Sequence, residues 1–253
     1  MDVMELLQAL FRWIHIVAGI TWIGLLYFLN FVNGPFEGTL DGGAKKTVVP
    51  QLRPRVFYWF RWGAAWTWIT GVLLLLLVFY HGQIVYDAGG SWNLLGIIMV
   101  AVTFLAFVVY DPIAKMDFAK NNKQMAGVGF ALVVLVVLGY HQAGFGYRAY
   151  VIHLGALFGT IMAANVWMRI WPSQQKIITA IRDGQAPDAA LVALAGQRSR
   201  HNTYMSVALV WTMINSHTTV PFASSFVWLL VMVAIAWSGT MLLYKKAAAV
   251  KGF

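Results

Sequence analysis

The stretch that most limits what this chain can fold into is residues 9–33, ALFRWIHIVAGITWIGLLYFLNFVN. A mostly apolar run of about 25 residues is long enough to cross a bilayer as a helix. The chain as a whole is 60% hydrophobic and only 11% charged, which is more apolar surface than a soluble domain of 253 residues can bury. We therefore expect an all-α, multi-pass integral membrane protein in contact with lipid.

Further apolar runs follow this one, and together they predict a single transmembrane domain, 1–253, of about seven helices. The predicted bounds are 7–33, 57–80, 92–111, 125–141, 149–171, 203–217 and 225–244. Residues 34–54 contain several glycines and prolines and are predicted to form a loop. Residues 173–202 are predicted to form a polar cytoplasmic loop, whose middle, DAALVALAGQ, either lies on the membrane surface or extends the next helix.

The basic residues predict how this bundle is oriented. Nearly all lysines and arginines fall in the first, third and fifth connections and after the last helix, whereas the other connections carry little more than Arg148. The positive-inside rule then places the N-terminus outside and the C-terminus inside. The formal net charge of +9 is accordingly interpreted as a topology signal, and we expect no nucleic-acid partner.

The sequence contains no cysteine, which excludes disulfides, thiolate metal sites and iron–sulfur clusters. It also excludes a covalently attached c-type haem, because that attachment needs C-x-x-C-H. If this chain holds a redox metal, histidine has to supply most of its ligands.

Five of the six histidines lie in the predicted outer half of the bundle, and His201 is the exception. Neutral imidazole is the usual ligand of a low-spin b-type haem, which takes one imidazole from each of two helices. His15 and His153 are the favoured pair, because both lie within helices. The reserves, at predicted helix ends, are His217, His141 and His81, enough for a second haem. The alternative for any of them is an ordinary histidine that is hydrogen-bonded to a neighbouring helix or solvated among the headgroups.

Two further features favour a haem near His15. Gly19 and Trp22 share its helix face at 100° per residue, and this face would suit a flat cofactor. Arg12 precedes His15 by one turn and Arg148 precedes His153, so each arginine could bind a haem propionate. The alternative for the arginines is that they extend to the interface as ordinary cationic side chains.

A set of polar residues is expected toward the inner half of the bundle. Such residues could line a pocket for a quinone or a small polar substrate, although polar residues within membranes more often bond one another across helices. The residues concerned are Asn30, Asn165, Arg200, His201 and Asn202.

Four blocks resemble the membrane domain of the bacterial membrane-bound urate oxidase (urate hydroxylase) family. They are WIHIVAGITWIGLLYFLNFVN, WFRWGAAWTWITG, HLGALFGTIMAANVWMRIWPSQQK and RSRHNTYMSVALVWTMINSH, and they cover most of 10–220 in order. The resemblance implies a multi-pass protein of the bacterial inner membrane that oxidises urate to 5-hydroxyisourate. It also implies a C-terminal cytochrome c domain, which is not expected here because the sequence has no C-x-x-C-H.

The sequence thus predicts a redox protein with one or two b-type haems that passes electrons at the outer face to a separate c-type cytochrome or larger complex, with urate or quinol as its donor. Whether it is itself a urate hydroxylase-like enzyme stays open. One alternative is a haem-bearing or purely structural accessory subunit of a respiratory or oxidase complex. Another is a transporter of copper or a small solute, because histidine and methionine are copper ligands.

Overall fold

The computed structural model describes residues 2–217 and 225–250, and these form seven helices. The helices are α1 Val3–Thr39, α2 Gly42–His81, α3 Leu94–Ile113, α4 Asn122–Gln142, α5 Tyr147–Arg182, α6 Ala189–Asn215 and α7 Phe226–Ala249. Phe28–Asn33, Leu75–His81 and Val166–Ile170 are π-helical turns within α1, α2 and α5. The predicted all-α class and the predicted number of helices are confirmed for the described residues.

Two predicted loops are mostly helical. Residues 34–54 lie in the end of α1 and the start of α2, although Pro50 and Pro54 fall inside α2. Residues 173–202 lie largely in the end of α5 and the start of α6, so the DAALVALAGQ stretch extends the next helix. Glycine and proline set only a local preference, and packing against neighbouring helices has overridden it.

The corner between α1 and α2 shows how packing keeps residues helical where glycine and proline predict a loop. Glu37 is only 6% exposed at the end of α1, and its carboxylate accepts hydrogen bonds from Asn33 Nδ2 at 2.8 Å and Arg53 Nε at 3.0 Å. Arg53 also donates to Gln174 Oε1 at 2.9 Å, which ties this corner to α5. A buried carboxylate is stable only with such partners, so the ion pair fixes both helix ends.

Six of the seven helices, all except α6, are long and apolar enough to cross a membrane. α5 occupies the centre: 67% of its most apolar stretch is buried within the protein, compared with 11–33% for the other five. The less buried apolar helices therefore surround α5, which is the arrangement expected of a multi-pass membrane protein.

The connections alternate between two ends of the bundle. At the end where α1 begins, Gly146 N donates to Val85 O at 2.9 Å and Arg148 Nε donates to Ser216 O at 2.8 Å, which joins three connections. We call this the amino-terminal end. At the opposite end, Gln197 Nε2 donates to Ala119 O at 3.0 Å. The amino-terminal end contains the predicted haem residues.

Candidate functional site

The helix face of His15, Gly19 and Trp22 packs along α2. His15 lies against Thr70 and Gly71, and Gly19 lies opposite Thr67. One turn further, Trp22 is 1% exposed and covers Gly63. Gly19 and Trp22 are thus part of a helix–helix seam in this structure, and a flat cofactor would have to separate α1 from α2 to lie on that face.

The hydrogen bonds of His15 define its tautomer. The hydroxyl of Thr70 donates its proton to Trp66 O at 2.6 Å, so its oxygen can only accept from His15 Nδ1, 3.2 Å away. Nδ1 therefore carries the ring proton, and the lone pair of the neutral imidazole is on Nε2. A histidine whose Nδ1–H is held by a neighbour in this way is in the form that ligates metals.

His15 shares its level in the bundle with Arg12, Arg148 and His217. α1 and α6 run antiparallel: Asn30 Nδ2 donates to Ser199 Oγ at 2.8 Å, and Ser206 Oγ donates to Tyr27 Oη at 3.1 Å. Continuing this register brings residues 12–15 to the level of residues 215–217. We call Arg12, His15, Arg148 and His217 the arginine–histidine cluster.

The electrostatics of the cluster are strongly positive. Partial burial, followed by the charges of Arg12 and Arg148, lowers the pKa of the exposed His217. Neither arginine forms an ion pair with a carboxylate in the part of the chain that the structure describes. Two guanidinium groups close to His217, without a carboxylate partner among the described residues, favour an anionic ligand there.

His153 lies apart from this cluster. It is completely buried, with Nδ1 donating to Ala149 O at 2.7 Å and Nε2 accepting from the Tyr80 hydroxyl at 2.8 Å. Aromatic rings surround it: Phe79, Tyr80, Tyr140 and Phe145, with ring centroids at 5.0–6.5 Å. Both ring nitrogens are thus in use, as in the hydrogen-bonded alternative for a membrane histidine.

The structure does not bring His15 and His153 together as a ligand pair. Their contacts on α2, at Thr70 and Tyr80, are ten residues apart. The two imidazoles are thus held by different turns of α2. His81 and His141 are exposed at helix ends, where His141 stacks on Phe226 with centroids 5.0 Å apart.

The predicted inner pocket is divided into two parts. Asn165 Nδ2 donates to Asn202 Oδ1 at 2.9 Å and Asn202 Nδ2 donates to Met162 O at 3.0 Å, while Asn30 bonds Ser199 and accepts from Tyr244. Asn165 and Asn202 thus bond each other between α5 and α6, although Asn165 Oδ1 is buried without a partner. Arg200 and His201 instead line a large apolar cavity between helices.

The sequence reasoning missed the buried ion cluster around Asp111, which lies at the opposite end of the bundle from the arginine–histidine cluster. Asp111 accepts from Arg169 at 2.8 and 2.7 Å, from Arg198 at 2.9 Å and from Lys115 at 2.6 Å. Arg198 is completely buried. The signal was a carboxylate within an apolar run, which we interpreted only as a helix end before Pro112.

The described residues include no group of three or more His, Cys, Asp or Glu side chains suited to hold a metal ion. A haem with two axial histidines does not require such a group.

Comparison with known proteins gives one match. The family model described as urate oxidase N-terminal matches residues 37–248, which is most of the chain. Neither the curated proteins nor the solved structures gave a significant match. The matched segment includes α2 to α6 in full, and with them His153, His201 and His217. The chain therefore belongs to the urate oxidase N-terminal family.

Proposed function

We propose that this chain is a membrane redox protein of urate-oxidase type that binds a b-type haem at the arginine–histidine cluster. It passes electrons from there to a separate c-type cytochrome or a larger membrane complex. The observation that carries the proposal is the contact of His15 Nδ1 with the Thr70 hydroxyl, which itself donates to Trp66 O, because this arrangement leaves the lone pair of a neutral imidazole on Nε2. His217, at the same level of the bundle, is the second ligand.

The other side chains of the cluster support a haem by their charge. Arg12 and Arg148 are exposed and have no carboxylate partner among the described residues, so they can bind two propionates in bidentate fashion. With the orientation that the basic residues predict, the cluster lies at the outer face of the bacterial inner membrane. When bound, a haem supplies a one-electron carrier at that face.

Family membership motivates the substrate half of the proposal. Urate and water give 5-hydroxyisourate, two protons and two electrons, and the electrons have to leave the site. Urate is itself an anion at neutral pH, so the same uncompensated arginines favour its approach. Residues 1–253 contain no cysteine for a c-type haem, and in this proposal a c-type cytochrome or a larger membrane complex accepts the electrons.

The haem is tested by a reduced-minus-oxidised absorption spectrum of the purified protein. We expect a b-type α-band in the wild type and its loss in His15→Ala, whereas His217→Ala changes a low-spin spectrum to a high-spin one. His81→Ala is the matched control, because His81 is exposed outside the cluster, and it keeps the band. A wild type without a b-type band, or a full low-spin band in His15→Ala, refutes the haem proposal.

The substrate is tested on the same sample by adding urate in excess. Reduction of the haem by urate, followed by reoxidation with an added c-type cytochrome, is the result expected for a urate-oxidising enzyme. Reduction by quinol alone identifies an electron-transfer subunit instead. A protein that has no pigment and co-purifies with an oxidase complex is a structural accessory subunit, which overturns the proposal.

A further inference from the structure

Arg61 is a cation within α2, on the side of that helix that faces α5. It lies about two turns beyond Arg53, which pairs with Glu37 at the helix corner. A charged residue within a membrane-spanning helix usually pairs with an opposite charge or with backbone carbonyls. Among the described residues Arg61 forms no ion pair, and its Nε is buried without a hydrogen-bond partner.

Three aromatic rings surround the Arg61 guanidinium instead. The ring centroids of Trp171, Trp167 and Tyr58 lie 4.5, 5.6 and 5.9 Å from Arg61 Cζ. An aromatic face attracts a cation through its quadrupole, but it carries no net negative charge. The rings therefore hold the guanidinium without neutralising it. We call Arg61, Tyr58, Trp167 and Trp171 the arginine cage.

The rings of the arginine cage are fixed by contacts between α2 and α5. Trp167 Nε1 donates to Arg61 O at 3.1 Å, and its ring packs edge-on against Trp62 with centroids 5.5 Å apart. Trp171 packs against the buried Phe57, with centroids 6.1 Å apart. A site whose walls are already ordered loses little conformational freedom when a ligand binds.

The arginine cage is open to the surface of the bundle. Arg61 is half-buried: its Nε is buried, whereas its two terminal nitrogens, which also form no hydrogen bond among the described residues, keep accessible surface. Tyr58 and Trp62 beside it on α2 are 49% and 41% exposed, and Met168 on α5 is 55% exposed. A ligand can thus reach the guanidinium without separating α2 from α5.

The arginine cage lies toward the end of the bundle opposite the arginine–histidine cluster. Trp171 is three residues before Gln174, which bonds Arg53 at that end. A long side chain on a helix points back toward the start of the helix, so Arg61 extends in the same direction. With the orientation that the basic residues predict, this is the cytoplasmic leaflet, where Trp and Tyr lie at the level of the lipid headgroups.

We propose that the arginine cage binds the phosphate of an anionic phospholipid of the cytoplasmic leaflet. The two terminal nitrogens of Arg61 donate to the phosphate oxygens as a bidentate fork, and the acyl chains lie on the exposed rings of Trp62 and Trp66. A zwitterionic lipid carries its own cation beside the phosphate, so an anionic lipid compensates Arg61 better. This site is separate from the haem and goes beyond the proposed function.

Binding is tested by titrating phosphatidylglycerol into the delipidated full chain in detergent and counting bound lipids by native mass spectrometry. We expect one molecule to bind the wild type about 10-fold more tightly than phosphatidylcholine does, which is the factor expected from one charge-assisted hydrogen bond. Arg61→Gln should lose this preference. Arg182→Gln is the matched control, because it removes the same charge from an exposed arginine that Asp183 already pairs at 2.8 Å, and it should keep the preference.

A second variant keeps the proposal testable if Arg61→Gln does not fold. Arg61→Lys retains the charge but not the fork, so its affinity for phosphatidylglycerol should fall below that of the wild type. Equal affinity of the wild type for the two lipids, or equal affinity for phosphatidylglycerol in the wild type and every folded Arg61 variant, overturns the proposal. So does displacement of the lipid by an equal concentration of glycerol 3-phosphate, because that result identifies a site for a soluble anion.

A haem spectrum of each sample separates this inference from the proposed function. Arg61 is nine residues before Thr70, the contact of His15 on α2, and is not part of the arginine–histidine cluster. Arg61→Gln should therefore keep the b-type band while it loses its preference for the anionic lipid. Selective binding of phosphatidylglycerol by a wild type without haem supports the arginine cage and refutes only the haem.

Discussion

Replacing Asp111 with Asn is expected to destabilise the bundle severely. Asp111 is the one carboxylate shared by Arg169, Arg198 and Lys115, and Arg198 is completely buried. An amide removes the negative charge and leaves three cations facing one another. Breaking a buried ion pair by removing one partner costs about 3–5 kcal/mol. We expect little folded protein, or a strongly lowered Tm, in fluorescence-detected size-exclusion chromatography after heating in detergent.

Asp117→Asn is the matched control for this prediction. Asp117 pairs with Lys120 at 2.7 Å, but both side chains are in solvent at 95% and 75% exposure. The hydrogen bond and charge of Lys120 lower the pKa of Asp117, yet an ion pair in solvent stabilises a fold very little. The Tm of Asp117→Asn should therefore equal that of the wild type. If Asp111→Asn also has the Tm of the wild type, the ion cluster does not hold α3, α5 and α6 together.

The helices were predictable because their signal is local. An apolar run of sufficient length is visible in the sequence by itself, and seven runs gave seven helices among the described residues. Their ends were less predictable. Residues 34–54 looked like a loop because of Pro50 and Pro54, but the ion pair of Glu37 with Arg53 joins residues 16 positions apart. The sequence shows both charges and does not show that they meet.

The sequence predicted how deep the residues of the candidate site lie in the bundle, but it did not predict their hydrogen-bond partners. The apolar runs and the basic residues placed His15, His153, Arg12 and Arg148 near one end of the bundle, where the structure also has them. They could not reveal that Tyr80, 73 positions away, bonds His153. Which ring nitrogen of a histidine is free depends on such a distant partner, so the choice between a ligand and a core residue required the structure.

The same limit applies to His201. The sequence grouped it with Asn30, Asn165, Arg200 and Asn202 as one polar pocket, because all five lie at similar depth. In the structure Asn165 bonds Asn202, and Asn30 bonds Ser199 instead. His201 bonds none of them and pairs with Tyr110. Depth is encoded locally, but the direction of a side chain depends on packing among five helices.

A tight helix contact in the centre of the bundle leads to the second large prediction. Gly155 on α5 faces α6, where a Cβ would lie 2.9 Å from Met213 Cε and 3.3 Å from Thr212 Cβ, and closer still to the Thr212 hydroxyl. Thr212 is completely buried, and its hydroxyl donates to Leu209 O at 2.7 Å, so it cannot move aside without losing that bond. Gly159, one turn further on α5, is looser: a Cβ there would lie 3.4 Å from Leu209 Cδ1, the end of a flexible side chain.

Substitution by alanine should therefore lower the Tm at Gly155 but not at Gly159. In a helix interior alanine is favoured over glycine by up to about 1 kcal/mol, so Gly159→Ala should leave the Tm unchanged or raise it. At Gly155 overpacking costs about 1–3 kcal/mol and exceeds that gain, so Gly155→Ala should lower the Tm of the detergent-solubilised protein. Measuring the Tm of both variants and of the wild type shows whether each substitution stabilises or destabilises the protein. Equal shifts in one direction would mean that helix propensity, and not contact between α5 and α6, sets the stability of this seam. α5 lies at the centre of the bundle, so loosening this contact should also lower the temperature at which the haem that we propose is lost.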